Sequence, residues 1–120
     1  MFKIQRPKQY DLEERTYKFA KDTRTFIKKL HKTLSNMEDC KQLNRSSGSI
    51  GANYIEANEA LSKKDFIHRI KICRKESKES RFWLRLVDTN NNELENERAN
   101  LIRESTELMM IFSSIMRKSS

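Results

Sequence analysis

Residues 92–118 read NELENERANLIRESTELMMIFSSIMRK, and their apolar side chains recur at intervals of three, four or seven residues. Such intervals place side chains on one face of an α-helix. That face comprises Leu94, Leu101, Leu108, Phe112 and Ile115, with Ile102, Met109 and Met116 beside them. The stretch therefore predicts one long amphipathic helix that buries a single face.

The same spacing predicts three further helices, over residues 12–34, 37–60 and 63–88. The apolar face of the first comprises Leu12, Phe19, Phe26 and Leu30, flanked by Ala20, Ile27 and Leu34. The apolar face of the third comprises Phe66, Ile70, Cys73, Leu84 and Val87, flanked by Ile67 and Trp83. Four amphipathic helices thus account for nearly the whole chain.

Capping residues mark the helix starts. A capping side chain followed three positions later by an acid pairs otherwise unsatisfied amides at a helix start. This pattern occurs three times, as Asp11/Glu14, Ser35/Glu38 and Ser62/Asp65. The fourth start falls in the polar turn of residues 89–92, because Asn side chains cap helices well.

Composition sets the fold class. The chain has 120 residues, with only 2 Gly and 1 Pro, which is too little turn chemistry for an all-β sandwich or barrel. Short loops between long helices favour antiparallel neighbours. We therefore predict an all-α protein, an up-and-down antiparallel four-helix bundle over residues 11–120, preceded by a basic tail of residues 1–10. Each helix is expected to be about 35 Å long.

The middle of the second helix, residues 45–52, reads RSSGSIGA and is rich in poor helix formers. Two Gly in a helix cost about 2 kcal/mol relative to Ala. The pairs Ser47/Gly51 and Gly48/Ala52 are spaced four apart, which lets a neighbouring helix approach closely and offsets that cost by packing. A flexible loop that divides the helix is the alternative.

Positive charge is concentrated on the first and third helices. The chain carries 25 Lys+Arg against 17 Asp+Glu, a net charge of +8, and residues 62–89 alone hold nine basic and four acidic side chains. Basic ribbons of this kind engage phosphates without reading sequence. The candidate nucleic-acid-binding residues are Lys18, Lys21, Lys28, Lys29, Lys64, Lys71, Lys75, Lys78 and Arg85. A solvated helix face with charge pairs four residues apart is the alternative.

The third helix also carries apolar residues away from its core face. They are Ile72, Phe82, Trp83 and Leu86, and an apolar patch on a basic helix suggests a protein interface. A broad buried face within one bundle explains them equally well at this stage.

Motifs for enzyme chemistry are missing from the sequence. His31 and His68 lack an HExxH partner, and Cys40 and Cys73 lack a CxxC spacing. The glycines precede no GK[ST] element, and no ExxH pair of a di-iron bundle occurs. We predict no catalytic residue, no metal and no cofactor. Without a secretory or membrane-spanning segment, we expect a cytoplasmic protein with no membrane partner.

Residues 42–57, QLNRSSGSIGANYIEA, and residues 66–84, which include RKESKES at 74–80, carry a family resemblance. The chain resembles the four-helix bundle family of 23S rRNA intervening-sequence proteins over nearly its whole length. A related protein, the accessory variability protein of diversity-generating retroelements, forms a pentameric barrel with a basic surface and binds nucleic acid and the reverse transcriptase. The resemblance implies a homo-oligomer, a pentamer first of all, that contacts RNA or DNA.

Polar residues of this motif are expected to set helix register. Asn53 and Glu56 on the second helix, together with Glu76 and Glu79 on the third, are expected to join Arg45 or Arg74 in a paired network, because buried polar groups need partners. The structural motif residues are Arg45, Ser47, Gly51, Asn53, Glu56 and Glu79.

The sequence thus favours a non-enzymatic, oligomeric bundle that presents Lys and Arg to RNA or DNA with little sequence readout. Two alternatives stay open. One is a protein-interaction scaffold that docks an acidic partner through Phe82, Trp83 and Leu86. The other is a structural protein with no separable ligand.

Overall fold

Four helices follow one another in the part of the chain that the structure, a computed structural model, describes, residues 11–120. They are α1 (Leu12–Lys28), α2 (Leu34–Asn58), α3 (Lys63–Leu86) and α4 (Asn92–Ser119). No strand occurs within 11–120, so the prediction of an all-α four-helix bundle is confirmed. The predicted basic tail, residues 1–10, lies outside the described residues.

Consecutive helices pack side by side, and α1 closes the ring against α4. The α2–α3 and α3–α4 contacts are the most extensive, while the α1–α4 contact is the smallest of the four. The bundle measures 46 × 26 × 19 Å. In this up-and-down arrangement α1 and α3 occupy diagonal corners.

Three of the four predicted helix caps are confirmed. Asp11 accepts a hydrogen bond from the Glu14 amide at 3.3 Å, Ser62 from the Asp65 amide at 3.1 Å, and Asn91 from the Leu94 amide at 2.8 Å. Asn90, just before the last cap, has φ of 63°, a left-handed conformation that Asn tolerates better than most residues. The turn chemistry of residues 89–92 thus starts α4 as predicted.

The prediction that Ser35 caps α2 is wrong. Thr33 takes that role, since its backbone is extended and its hydroxyl accepts a hydrogen bond from the Asn36 amide at 3.1 Å. Helix α1 is also shorter than predicted, because the Lys29 amide bonds the Phe26 and Ile27 carbonyls and ends it there. Leu34 therefore belongs to α2 and is 78% exposed, which corrects its expected place beside the core.

Asn36 holds two loops together at one end of the bundle. Its Nδ2 donates to the carbonyl oxygens of His31 and Asp88, each at 3.0 Å, and its Oδ1 accepts from the Asp88 amide at 3.0 Å. The residue is 2% exposed, so these bonds form out of water. We call this arrangement the Asn36 clasp; it joins the α1–α2 loop to the α3–α4 loop, and the sequence analysis did not predict it.

The core runs along the bundle and follows the predicted apolar faces. The Tyr54 and Phe112 rings contact each other in a tilted arrangement, with centroids 5.9 Å apart and an interplanar angle of 53°. The largest fully buried side chains include Phe19, Phe26, Phe112, Leu43, Ile50, Ile70, Leu84 and Leu108. Burial of these side chains from four helices is the main favourable term in folding.

Helix α2 runs unbroken through residues 45–52, so the alternative of a dividing loop is excluded. A Cβ atom at Gly51 would lie 2.9 Å from the Thr16 hydroxyl of α1, closer than such atoms pack. On the other side, the Ser46 and Ser80 hydroxyls are hydrogen-bonded at 2.9 Å, which brings α2 close to α3. Tertiary packing therefore overrides the weak helix propensity of this segment.

We predict opposite effects for the two glycines of α2. Gly51→Ala should lower the free energy of unfolding by about 1 kcal/mol, because overpacking against Thr16 outweighs the gain in helix propensity. Gly48→Ala should raise it by about 0.5–1 kcal/mol, since the nearest atom is a guanidinium nitrogen of the exposed Arg24 at 3.3 Å, which can move away. Urea unfolding of both variants measures the two signs, and a stabilising Gly51→Ala would contradict the close approach.

We also predict that Asn36→Asp, which keeps the shape of the side chain, lowers the free energy of unfolding by about 2–4 kcal/mol. The substitution removes both donated bonds and turns a carboxylate oxygen towards two carbonyls. Exposed Asn96→Asp on α4 is the matched control and should change stability by less than about 0.5 kcal/mol. Urea unfolding and hydrogen exchange at the Asp88 amide test this, and equal effects of the two variants would rule out the clasp.

Candidate functional site

The outward side of α3 carries the densest positive charge among the described helices. Its buried side is formed by Ile70, Cys73, Ser77, Ser80 and Leu84. The side chains that point away from it, which we call the α3 basic face, are Lys64, Lys71, Lys75, Lys78 and Arg85, and all five are exposed. The structure thus places every predicted binding residue of α3 on one solvent-facing surface.

The α3 basic face is not neutralised by acids of the described chain. None of its five cations lies within ion-pair distance of a carboxylate in residues 11–120. Glu79, which directly follows Lys78, is paired instead with Arg45 at 2.9 Å. The alternative of a face laced with charge pairs therefore does not describe α3.

Helix α1 differs, because two of its four predicted binding residues are paired. Lys18 contacts Asp22 at 2.6 Å, a hydrogen bond that raises the Lys18 pKa, and Lys29 contacts Glu97 of α4 at 3.0 Å. Lys21 and Lys28 are exposed and form no ion pair with a residue in 11–120. Since α1 and α3 lie at diagonal corners, the nine predicted residues form two separate surfaces.

A charged network joins α2 to α3. Arg45 of α2 reaches Glu76 at 3.4 Å and Glu79 at 2.9 Å on α3. The Glu76 side chain is only 7% exposed, whereas that of Arg45 is 52% exposed. The guanidinium therefore spans from solvent to a buried carboxylate, and the contact fixes how far α3 can slide along α2.

Other motif residues lie outside this network. Asn53 accepts from Arg69 at 3.0 Å and donates to Ser49, and Glu56 is exposed. Arg74 is half-buried, with no hydrogen-bond partner for its Nε among the described residues.

The small motif residues of α2 are packed inside the bundle. Ser47 is buried and its hydroxyl donates to the Asn44 carbonyl, while Gly51 packs on α1. The structure thus brings together Arg45, Glu76 and Glu79, but neither Asn53, Glu56 nor Arg74.

The four candidate interface residues differ in how far their side chains are buried. Ile72 and Trp83 are half-buried, while Phe82 is 53% and Leu86 49% exposed. The Phe82 and Trp83 rings meet edge to face, with centroids 4.9 Å apart at 81°. Leu86 lines an open pocket of about 490 Å³ together with Leu34, Ser35, Glu38, Asp39 and Asp88.

The cysteines are not set up as nucleophiles. Burial raises the pKa of the Cys73 thiol to about 12, and burial followed by the charge of Asp39 raises that of Cys40. Both therefore stay protonated near neutral pH. Within residues 11–120 no three His, Cys, Asp or Glu side chains group as metal ligands, and no helix there is long and apolar enough to cross a membrane.

The chain is similar to a known protein family and to a solved structure. The model for the family described as 23S rRNA-intervening sequence protein matches residues 8–114. A crystal structure from Bacteroides thetaiotaomicron VPI-5482, of a protein with unknown function from the S23 ribosomal protein family, is similar at 30% identity and a TM-score of 0.75. The alignment covers 88% of this chain and 97% of that one. Curated proteins give no match, and neither description names an enzyme activity.

We predict that Arg45→Ala lowers the free energy of unfolding by about 1–3 kcal/mol, because it leaves Glu76 buried without its cation. The loss is smaller than for a fully buried ion pair, since solvent screens the half-exposed Arg45. Lys41→Ala is the matched control, since its pair with Glu38 is exposed and 3.9 Å long, and it should cost little. Adding Glu76→Gln to Arg45→Ala should restore part of the loss. Urea unfolding measures all three, and no difference between Arg45→Ala and Lys41→Ala would contradict the role of the network.

Proposed function

This chain belongs to the family of 23S rRNA-intervening sequence proteins, and from that premise we propose that it is a non-enzymatic, oligomeric bundle that binds nucleic acid through the phosphate backbone. Binding occurs with little sequence readout, because Lys and Arg contacts to phosphates carry no base information. The family name concerns an insertion in rRNA genes and by itself identifies no ligand.

The observation that carries the proposal is the uncompensated charge of the α3 basic face. Lysines that are already paired lose part of their attraction for an outside anion, whereas those of α3 keep theirs. Release of condensed counterions from the nucleic acid then supplies much of the binding free energy. Lys71, Lys75 and Lys78 follow one another at about one helical turn, so one length of backbone can meet them in succession.

Helix α1 contributes a second, weaker contact in this proposal. Of the four residues predicted on the first helix, Lys21 and Lys28 remain available, as Lys18 and Lys29 are paired within the bundle. A single bundle then contacts nucleic acid either through the α3 basic face or through the separate surface on α1.

Assembly into a homo-oligomer is part of the proposal, and the resemblance implies a pentamer. Exposed apolar side chains support it: Leu34 is 78% and Leu86 49% exposed, and they line one open pocket. Burying such side chains between subunits is favourable. Light scattering tests this, and a mass near the 14.3 kDa of one chain at working concentration would contradict it.

A second candidate function is a scaffold that docks an acidic protein in the cytoplasm. The exposure of Phe82 and Leu86 within a basic helix favours it, because apolar anchors framed by charge are typical of protein interfaces. Recovery of one defined acidic partner after nuclease treatment, together with no binding to RNA or DNA, would select this function over the first.

We predict that replacing Lys71, Lys75, Lys78 and Arg85 with Glu weakens binding to RNA and to duplex DNA at least about 100-fold, because it removes the backbone contacts. For the unchanged protein on duplex DNA, log affinity should fall with log salt by about 0.9 per phosphate contacted. Fluorescence anisotropy across a salt series measures both quantities, and circular dichroism checks that helicity is kept.

The matched control places the same four charge reversals elsewhere, at the exposed residues Lys41, Arg103, Arg117 and Lys118 of α2 and α4. It has the same net charge as the α3 variant and should retain most of the binding. Equal loss in both variants would show that only total charge matters, and retained affinity in the α3 variant would refute the assigned surface.

A further inference from the structure

An aromatic ring lies in the middle of the α3 basic face. Phe82 follows Lys78 by four residues and precedes Arg85 by three, so both cations are its neighbours on the helix surface, about 5–6 Å away between Cβ atoms. Lys75 lies one further turn back on the same side. Phe82 is 53% exposed, so about half of its surface is open to a ligand.

Trp83 holds the Phe82 ring in place. The edge-to-face contact at 4.9 Å and 81° supports the ring, while 53% of Phe82 stays exposed to solvent. Leu86, one turn further on and 49% exposed, extends the apolar surface beside it. The ring is therefore a supported, flat, solvent-facing platform.

We propose that the α3 basic face binds nucleic acid in single-stranded form, with the Phe82 ring stacked against an unpaired base. This inference rests on the proposed function and names its substrate class. Stacking on an aromatic ring between cations is how proteins hold single strands without reading sequence, because every base offers a flat face.

The charges around the ring favour this occupant over an apolar protein segment. Lys78 and Arg85 flank Phe82 on both sides along the helix, so a base on the ring places its neighbouring phosphates beside a cation. Glu79, which would repel a phosphate, is ion-paired with Arg45 of α2 at 2.9 Å. A duplex satisfies the lysines but keeps its bases stacked on each other, so it leaves the ring unused.

Binding of Phe82→Ala to a short unstructured RNA, and to the duplex formed by that RNA and its complement, tests the inference. We expect the single-strand affinity to fall about 10-fold and the duplex affinity to stay within about 2-fold of the unchanged protein. The salt dependence should not change for either ligand, because no cation is removed. Phe82→Tyr should retain single-strand binding, while Phe82→Leu, which stays apolar but is not flat, should lose it like Phe82→Ala.

Several results overturn the inference. Equal effects of Phe82→Ala on both RNA forms, or full single-strand binding by Phe82→Leu, would show that stacking is not involved even though nucleic acid binds. A change of mass in light scattering for Phe82→Ala would make the ring a subunit contact. Failure of the unchanged protein to bind either RNA at low salt would overturn the proposed function as well, and capture of an acidic protein through Phe82 would then give the face to a protein partner.

Discussion

The close approach of α2 to both of its neighbours is the constraint on which the rest of the bundle depends. Gly51 leaves no room for a Cβ atom against Thr16 of α1, and Ser46 meets Ser80 of α3 at 2.9 Å. Small side chains give up apolar area, but they let helix backbones pack closely and let hydroxyls pair. With α2 in contact on both sides, the network of Arg45, Glu76 and Glu79 joins α2 to α3, which buries its Ile70 side and exposes the α3 basic face.

The sequence predicted the features that depend on residues near each other in the chain. The apolar spacing predicted the four helices. Three predicted caps, Asp11, Ser62 and Asn91, each accept a hydrogen bond from the amide three residues later. The end of α1 escaped prediction because Leu30 stays in the core after the helix has ended, so the apolar spacing continued where the helix did not. Ser35 failed as a cap because Thr33 caps α2 two residues earlier, which places Ser35 inside the first turn.

The candidate site was predictable in its residues but not in its arrangement. Helical spacing places the α3 lysines away from the core, and the structure shows them exposed. Their isolation from acids depends on pairs between distant segments. Arg15 of α1 pairs with Glu104 and Glu107 of α4, each at 2.7 Å, and the hydrogen bond that Arg15 donates to Glu104 is the main cause of its raised pKa. Lys29 pairs with Glu97 of α4. These acids of α4 are thus paired with cations on the α1 side of the bundle, and the positive charge of the α3 basic face is not compensated by them.

Because of the Asn36 clasp, the two ends of the bundle differ in how well their loops tolerate inserted residues. At the clasped end, lengthening either loop pulls on the same side chain, so an insertion after His31 also loosens the connection at Asp88. At the other end, Leu61 in the α2–α3 turn is 95% exposed. Exposed loop tips are where chains tolerate insertion and circular permutation. The turn at Leu61 is therefore the place at which a tag, a second domain or new termini can join this bundle without disturbing its packing.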